Sequence, residues 1–352
     1  MSKYPTTRNF GFGKQIEWAG RKALEQYYGN GHFATVSTHA QHWGLFCRWI
    51  QATRDIRDAR DVTQQHLEEY ADMLCKCVMD ETLDVAYAQN LISSVNVVLE
   101  AMRGPLPIRI ESPSDWVGRR VTYRSEPPTG QDWNQVVAAA DHLAKNGMPR
   151  AKVVVLLCRY FGVRLREAVL ANISDWIKQA RERGEIDVRE GTKGGRGNEI
   201  ERWVPCDRKG QYLLAEAERI CRSVGCDKNM LLPDETYVSF VNNGEINRAR
   251  LPLHKLGIKG FHELRAAYAC QRYEDLSGYL APVFLSDNCA GYRIHWKTID
   301  TITMELGHER RDVIEEYIGD YSAHRSFLQN RKYEASLALK ASLRAALKAG
   351  KK

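Results

Sequence analysis

Apolar residues recur every three or four positions in three stretches between residues 20 and 104, which is the spacing of amphipathic helices. Thr38 with Gln41, and Thr63, occupy positions typical of helix N-caps before the first two stretches. We therefore predict a compact helical domain over residues 20–104, preceded by a flexible arm over residues 1–19, which are polar and contain glycine. The apolar positions are Trp43, Phe46, Cys47 and Ile50, then Leu67, Tyr70 and Leu74, then Leu91, Val95, Val98, Leu99 and Met102.

The helical pattern breaks over residues 105–130, where proline and glycine interrupt any sustained period, and we predict a linker there. Helical spacing resumes at Trp133 and continues to Phe161 in two further helices. The strand-like segments Glu185–Arg189 and Ile200–Val204 then flank a glycine-rich basic turn, which predicts an antiparallel hairpin. The predicted fold class is mainly α with a small antiparallel β-sheet.

The remainder of a second domain, residues 131–330, is predicted to be mostly helical. Residues Tyr279–Trp296 show few helical signals, and we predict an insertion over about residues 272–300 that forms a surface loop. Residues 331–352 are rich in alanine, leucine and lysine, with leucines four apart at 339, 343 and 347, which predicts an amphipathic C-terminal helix. Its apolar stripe is expected to dock either on its own domain or on a second copy, and amphipathicity leaves both open.

Composition limits the classes of protein to consider. A chain of 352 residues is too long for one ordinary core, which predicts two domains. Its net charge of +7 favours a polyanionic partner. No signal peptide or long apolar run is evident, so we expect a cytoplasmic protein that does not contact a membrane. The nine cysteines lack paired CxxC spacing, so we predict reduced thiols, no metal site and no cofactor.

Several side chains able to act on a phosphodiester occur in a suggestive order. Each is ordinary alone: residues three apart, such as Arg164 and Glu167 or His262 and Arg265, commonly form surface pairs, and Tyr317 alone is typical of a core aromatic. A tyrosine must lose its proton as it attacks phosphorus, and a cationic pocket favours the resulting phenolate. The combination in chain order is Arg164, Lys193, His262, Arg265, His308 and Tyr317.

Four segments that contain these residues resemble the signature boxes of the tyrosine recombinase family, also called phage-type integrases. The segments are Gly162–Glu167, Gly191–Arg202, His262–Arg265 and Leu306–Tyr317. The resemblance implies a helical core-binding domain followed by a catalytic domain. It also implies Tyr317 as the nucleophile, Arg164 and Arg265 as phosphate-clamping arginines, Lys193 as the mobile general acid, and His262 and His308 as active-site histidines.

The resemblance also assigns supporting positions. Glu167 falls where the family has an acidic residue that orients the first arginine, here Arg164. We predict Arg166, Arg196 and Arg202 as contacts to DNA phosphates rather than catalysts, with solvated surface charges as the alternative for Arg166 and Arg196. Tyr321 is the rival nucleophile, but it lies four residues beyond the family spacing from the histidine. The division of proton-transfer and phosphate-positioning roles between the two histidines stays open.

The implied function is a site-specific DNA recombinase or integrase of a mobile genetic element, acting through a 3′-phosphotyrosyl intermediate without metal or ATP. The implied partners are a double-stranded DNA recombination site, a homotetramer in the synaptic complex, and accessory DNA-bending or directionality factors; when bound to DNA the protein is expected to lie at the nucleoid. Three alternatives remain: a type IB-like topoisomerase, a telomere resolvase, and a non-catalytic DNA-binding accessory protein. The full set of six residues argues against the accessory protein, and the helical N-terminal domain and the C-terminal tail favour the recombinase over the topoisomerase.

Overall fold

The chain divides into two compact units, Met1–Val121 and Thr122–Lys352, each with its own hydrophobic core. The computed structural model describes residues 7–104, 108–192, 197, 199–308 and 310–349, with side chains as far as residue 342. Helices predominate in both units, and one small antiparallel sheet lies in the second. The predicted fold class is confirmed. Among the described residues, no helix is both long and apolar enough to cross a membrane.

The first unit contains five α-helices among its described residues, and their apolar faces meet around Trp43, whose indole Nε1 donates to the Ile16 carbonyl at 3.0 Å. The third helix begins where predicted, because the Thr63 hydroxyl accepts a hydrogen bond from the backbone N–H of His66. The helices are α1 (Ile16–Tyr28), α2 (Phe33–Arg54), α3 (Gln64–Met79), α4 (Val85–Arg103) and α5 (Pro113–Val117).

The prediction of a flexible arm over residues 1–19 is wrong for the part of that segment that the structure describes. Asn9 is fully buried: its backbone N–H donates to Asp58 at 2.9 Å, and its side-chain oxygen accepts from the backbone N–H of Ala59 at 2.7 Å. Helix α1 begins at Ile16, which is itself buried. These partners lie about fifty residues away in sequence, so no local pattern indicated them.

Two further predictions need correction in this unit. Thr38 does not cap a helix, because α2 already begins at Phe33, and the Thr38 hydroxyl donates to the Ala34 carbonyl one turn back. The predicted linker is also partly ordered: Pro113–Val117 forms the short helix α5, and Val117 is buried in the core of the first unit. Proline at the first position of a helix starts α5 rather than breaking it.

The second unit surrounds its core with helices α6 to α16 and contains the hairpin. Strands β1 (Glu185–Asp187) and β2 (Trp203–Pro205) pair antiparallel, shorter than predicted but in the predicted place. The helices are α6 (Trp133–Lys145), α7 (Pro149–Phe161), α8 (Leu165–Leu170), α9 (Ile173–Arg183), α10 (Arg208–Val224), α11 (Tyr237–Asn242), α12 (Glu245–Lys255), α13 (Phe261–Ser277), α14 (Tyr292–Glu305), α15 (Glu315–Ile318) and α16 (Tyr321–Ala349).

The predicted loop over residues 272–300 is correct only in its middle. Helix α13 extends to Ser277 and ends at Gly278, whose φ of +75° is typical of a helix C-terminus. Beyond a short 3₁₀ turn at Pro282–Phe284, helix α14 begins at Tyr292. His295 and Ile299 bury one face of α14, so tertiary packing forms a helix where the sequence pattern was weak.

The C-terminal helix α16 begins ten residues earlier than predicted and has no break at residue 331. Its first turn is fixed in place because Tyr321 and His324 are buried, and His324 Nε2 lies 2.8 Å from the Ser286 carbonyl oxygen. Leu339 of the predicted stripe is 61% exposed. The side chains at 343 and 347 lie outside the described part of the chain.

Candidate active site

Tyr317 lies in the four-residue helix α15 and is only 3% exposed. Ile314 and Ile318 on either side are fully buried and fix this short helix against the core. The chain then turns at Gly319, whose φ is +86°; a side chain there would meet the backbone nitrogen of Val283 at 2.7 Å. Glycine therefore allows the segment that carries Tyr317 to approach residues 282–284 closely.

Arg265 on α13 holds the hydroxyl of Tyr317. Its Nε donates to the Tyr317 oxygen at 3.3 Å, and its guanidinium carbon lies 5.4 Å from the centre of the phenol ring. Arg265 is 1% exposed, and its other nitrogens donate to the carbonyls of Leu306, at 2.6 Å, and of Gly162. This guanidinium therefore joins three chain segments at the base of the site.

Arg164 lies immediately before α8 and is more accessible, with 29% of its side chain exposed. Its Nη1 donates to Glu167 Oε1 at 2.7 Å, and its backbone N–H donates to Glu167 Oε2 at 2.7 Å. Gly162 sets up this turn with a φ of +62°, and the ring of Tyr268 fills the space that a side chain would need. The contact predicted between Glu167 and Arg164 is present.

The two histidines flank Tyr317, with ring centres 5.2 Å away for His262 and 5.6 Å away for His308. His308 Nε2 lies 3.0 Å from Arg265 Nη2 and 3.5 Å from Arg164 Nη2. Guanidinium groups only donate hydrogen bonds, so Nε2 accepts, and a neutral His308 carries its proton on Nδ1. Nε2 of His308 is therefore already occupied as a hydrogen-bond acceptor.

The Glu167 carboxylate lies close to the arginine guanidiniums of the site. Burial by itself would raise the pKa of Glu167, but the guanidiniums of Arg202, Arg265 and Arg164 outweigh it and lower the pKa to about 2. Burial, then the nearby arginines, lower the pKa of His308 to about 3. Glu167 is therefore ionised and His308 neutral at physiological pH.

Arg202, predicted as a contact to DNA phosphates, is largely buried beside Glu167. It is 5% exposed, its Nη1 donates to Glu167 Oε2 at 2.8 Å, and its Nε donates to the Glu305 carbonyl at 2.7 Å. The Arg202 backbone N–H donates to Oδ1 of Asp187, the last residue of β1, at 2.9 Å. Arg202 therefore links the hairpin to Glu167 and to the end of α14.

Residues 129–271 match the family model described as Integrase. The structure of XerH site-specific recombinase bound to palindromic difH substrate, a post-cleavage complex, shares the fold with a TM-score of 0.53 at 14% identity, over 88% of this chain and 82% of that one. The Tn1549 transposon integrase in complex with circular intermediate DNA does so with a TM-score of 0.53 at 12% identity, over 90% and 100%. No curated protein sequence matches significantly.

Most of the second unit is therefore similar to integrases, and the chain shares its fold with the two solved recombinase structures. Five of the six residues that the family resemblance singled out lie together in the second unit: Arg164, His262, Arg265, His308 and Tyr317.

Two predicted basic residues, Lys193 and Arg196, lie outside the described residues. The base of their turn is described: the Thr192 hydroxyl accepts from the backbone N–H of Gly197 at 2.8 Å and donates to the Arg189 carbonyl at 3.2 Å. The third surface candidate, Arg166, is exposed.

The rival tyrosine has other partners. The Tyr321 hydroxyl donates to the Ala290 carbonyl at 2.8 Å, and its ring stacks on His295 with 3.9 Å between centres. Its hydroxyl thus anchors the start of α16, whereas the hydroxyl of Tyr317 contacts an arginine.

Sequence reasoning missed the contacts that hold the end of α14 against α13. Glu305, 4% exposed at the end of α14, accepts from the Tyr268 hydroxyl at 2.8 Å and from Arg272 Nη2 at 2.7 Å. Both partners lie on α13, more than thirty residues earlier. Nothing in the local sequence pattern signals these contacts.

We expect the free energy of unfolding to fall as the pH decreases from about 6.5 towards 3. The pKa of His308 is lower in the folded chain, so below its unfolded value the unfolded chain binds the extra proton and is favoured. Between about pH 7 and pH 5 this residue should account for roughly 1 to 2 kcal/mol of the loss. Urea unfolding of the wild type and of His308→Asn at both pH values measures the effect.

A matched control for this titration is His142→Asn, which alters an exposed histidine of the same unit. His295, whose pKa burial lowers to about 4, contributes its own share in every variant. An equal pH slope in wild type and His308→Asn would contradict the assignment of a neutral His308.

Proposed function

We propose that this protein is a site-specific DNA recombinase, an integrase of a mobile genetic element, that cuts and rejoins DNA through a covalent tyrosine intermediate. The observation that carries the proposal is the hydroxyl of Tyr317, held 3.3 Å from Arg265 Nε, with Arg164 and two histidines around it. A tyrosine among permanent cations and imidazoles is suited to attack a phosphodiester.

In the proposed cleavage step, the Tyr317 oxygen attacks phosphorus, a new O–P bond forms, and the bond from phosphorus to the 5′ oxygen breaks. The tyrosine proton passes to His262, because His308 Nε2 already accepts hydrogen bonds from the arginines. Lys193 supplies the proton that the leaving 5′ oxygen takes up. The products are a 3′-phosphotyrosyl bond and a free 5′ hydroxyl.

The phosphotyrosyl bond conserves the energy of the broken linkage, so no ATP is needed. A 5′ hydroxyl from a partner strand attacks the phosphotyrosine, and the tyrosine leaves with its proton restored. This reversal rejoins DNA and, between two duplexes, exchanges strands.

The arginines take the place of a metal ion in this proposal. Arg164, with its side chain partly exposed, grips the non-bridging oxygens of the phosphate, and Arg265 stabilises the attacking oxygen from below. Guanidinium groups stay charged at all working pH values, so their donors are fixed before the substrate arrives. The Glu167 carboxylate keeps Arg164 in place through the 2.7 Å contact.

The proposed partner is a double-stranded recombination site. The XerH structure holds its palindromic difH substrate, and the Tn1549 integrase structure holds circular intermediate DNA, which supports DNA of this kind as the substrate. The net charge of +7 agrees with a polyanion. We further propose a homotetramer on two sites, joined through the exposed part of α16, with accessory DNA-bending or directionality factors, in the cytoplasm at the nucleoid.

The decisive experiment uses end-labelled duplexes that carry a candidate site and a nick close to the cleavage position. After cleavage, the short fragment that bears the free 5′ hydroxyl dissociates. Rejoining is then prevented, and the covalent adduct accumulates. The proposal expects a protein–DNA band that survives denaturation, at equal yield with EDTA present, and joint products when two duplexes are mixed. Relaxation of supercoiled DNA without joint products would favour a type IB-like topoisomerase, and hairpin ends a telomere resolvase. Binding without any adduct would leave only an accessory protein.

A further inference from the structure

A short segment at the start of the second unit touches both sides of the active site. The Arg124 side chain, 15% exposed, pairs with Glu263: Nη2 lies 2.7 Å from Oε1 and Nη1 3.3 Å from Oε2. Its backbone N–H donates to the Glu315 carbonyl at 2.9 Å. Glu263 follows His262 directly, and Glu315 lies two residues before Tyr317. Arg124 therefore contacts a close sequence neighbour of His262 and a close sequence neighbour of Tyr317.

The same segment is fixed over the start of α13 by further hydrogen bonds. The backbone N–H of Thr129 donates to Glu263 Oε2 at 2.9 Å, and the Thr129 hydroxyl accepts from the backbone N–H of Lys259 at 3.0 Å. Arg159 Nε then donates to the Gly130 carbonyl at 2.8 Å. We call residues 124–130 the strap. Glu263 is its main anchor because it binds the strap at two points.

Helix α15 needs such support because it has only four residues. A single turn of helix is unstable alone, so its position depends on what holds it. Gly319 and the buried Ile314 and Ile318 fix its core side, and the strap bonds its first carbonyl, at Glu315. Displacement of α15 by a fraction of an ångström would move the Tyr317 hydroxyl relative to Arg265 and His262.

We infer that Arg124 is a positioning residue for the cleavage reaction, tying the start of α13 with His262 to helix α15 with Tyr317. This inference rests on the proposed function. Arg124 acts through Glu263 and Glu315 and need not touch DNA. No motif of the sequence pointed to it, since its partners lie 139 and 191 positions farther along the chain.

The charges around His262 give this role a distinctive readout. Partial burial lowers the pKa of His262, Arg265, Arg124 and Arg164 lower it further, and Glu263 opposes them. Removing the charge of Arg124 while Glu263 stays ionised should raise the pKa of His262. The limb of the pH–rate profile that reports loss of a proton from this base should then shift to higher pH.

The test measures single-turnover adduct formation on the nicked duplex at saturating protein, together with DNA affinity and melting temperature. Arg124→Gln should slow adduct formation by about 10- to 100-fold, because small misplacements of reacting groups are costly, with DNA affinity unchanged. Arg124→Lys, which keeps the charge but not the two-pronged contact, should recover part of the rate. The matched control is Arg120→Gln, which removes an exposed arginine nearby in sequence and should cleave at the wild-type rate.

A double variant tests whether Arg124 acts through its partner. If it does, Arg124→Gln combined with Glu263→Gln should cleave no more slowly than the slower of the two single variants. Wild-type cleavage by Arg124→Gln, or a loss equal to that of Arg120→Gln, would overturn the inference while leaving the proposed function intact. So would a loss explained by lower melting temperature, with an unshifted pH profile. A wild-type protein that forms no adduct would overturn the proposed function itself.

Discussion

Replacing Tyr317 with phenylalanine is expected to abolish covalent attachment to DNA, lowering adduct formation by at least about a thousand-fold, as removal of a catalytic nucleophile does. The hydroxyl is the only atom removed, and it accepts one hydrogen bond, from Arg265 Nε at 3.3 Å. The ring that packs between the two histidines remains. The variant should therefore fold and bind the recombination site as the wild type does.

The matched control is Tyr321→Phe, which removes the other tyrosine hydroxyl of this region. That hydroxyl donates to the Ala290 carbonyl at 2.8 Å, so its loss should cost about 1 kcal/mol of stability and leave cleavage intact. Trapping on nicked duplexes, followed by denaturing electrophoresis and peptide mapping of the adduct, measures both variants. If Tyr317→Phe still formed the adduct, or if only Tyr321→Phe failed to form it, the nucleophile would be Tyr321 instead.

Replacing Arg164 with alanine is expected to slow cleavage by about 100- to 1000-fold, the usual effect of removing one fixed donor from a site of developing charge. Arg164 is the more accessible of the two arginines at the site, whereas Arg265 already donates to carbonyls of the chain. Glu167 keeps its contact with Arg202 at 2.8 Å, so the fold should survive the substitution. Arg164→Lys should recover little, because lysine lacks the planar fork.

Arg166→Ala is the control for charge, since Arg166 lies two residues away, is exposed, and stacks 5.4 Å from the ring centre of Tyr237. Its loss should weaken DNA binding modestly and reduce the salt dependence of affinity, with the single-turnover rate unchanged. Rates at saturating protein separate these effects from binding. Equal rate losses in both variants would indicate a general effect of charge rather than a phosphate clamp at Arg164.

The local sequence pattern predicted those parts of the fold that depend on near neighbours. Helical spacing located α6 and α7, and Thr63 marked the start of α3, because helix formation and capping involve residues three or four apart. Alternating residues around a glycine-rich turn predicted the hairpin of β1 and β2. Within the described residues, Asn9 of the predicted arm and Val117 of the predicted linker are buried against distant residues, which a local pattern does not indicate.

For the candidate site, the sequence by itself determined which side chains are present, their order, and the family they resemble. Tertiary structure alone decided that Arg265, rather than Arg164, contacts Tyr317, and that Arg202 binds Glu167. It also brought Arg124 to the neighbours of His262 and Tyr317. The physical reason is that hydrogen bonds and charge pairs act over a few ångströms, and the residues that meet at these distances are tens to hundreds of positions apart in the chain.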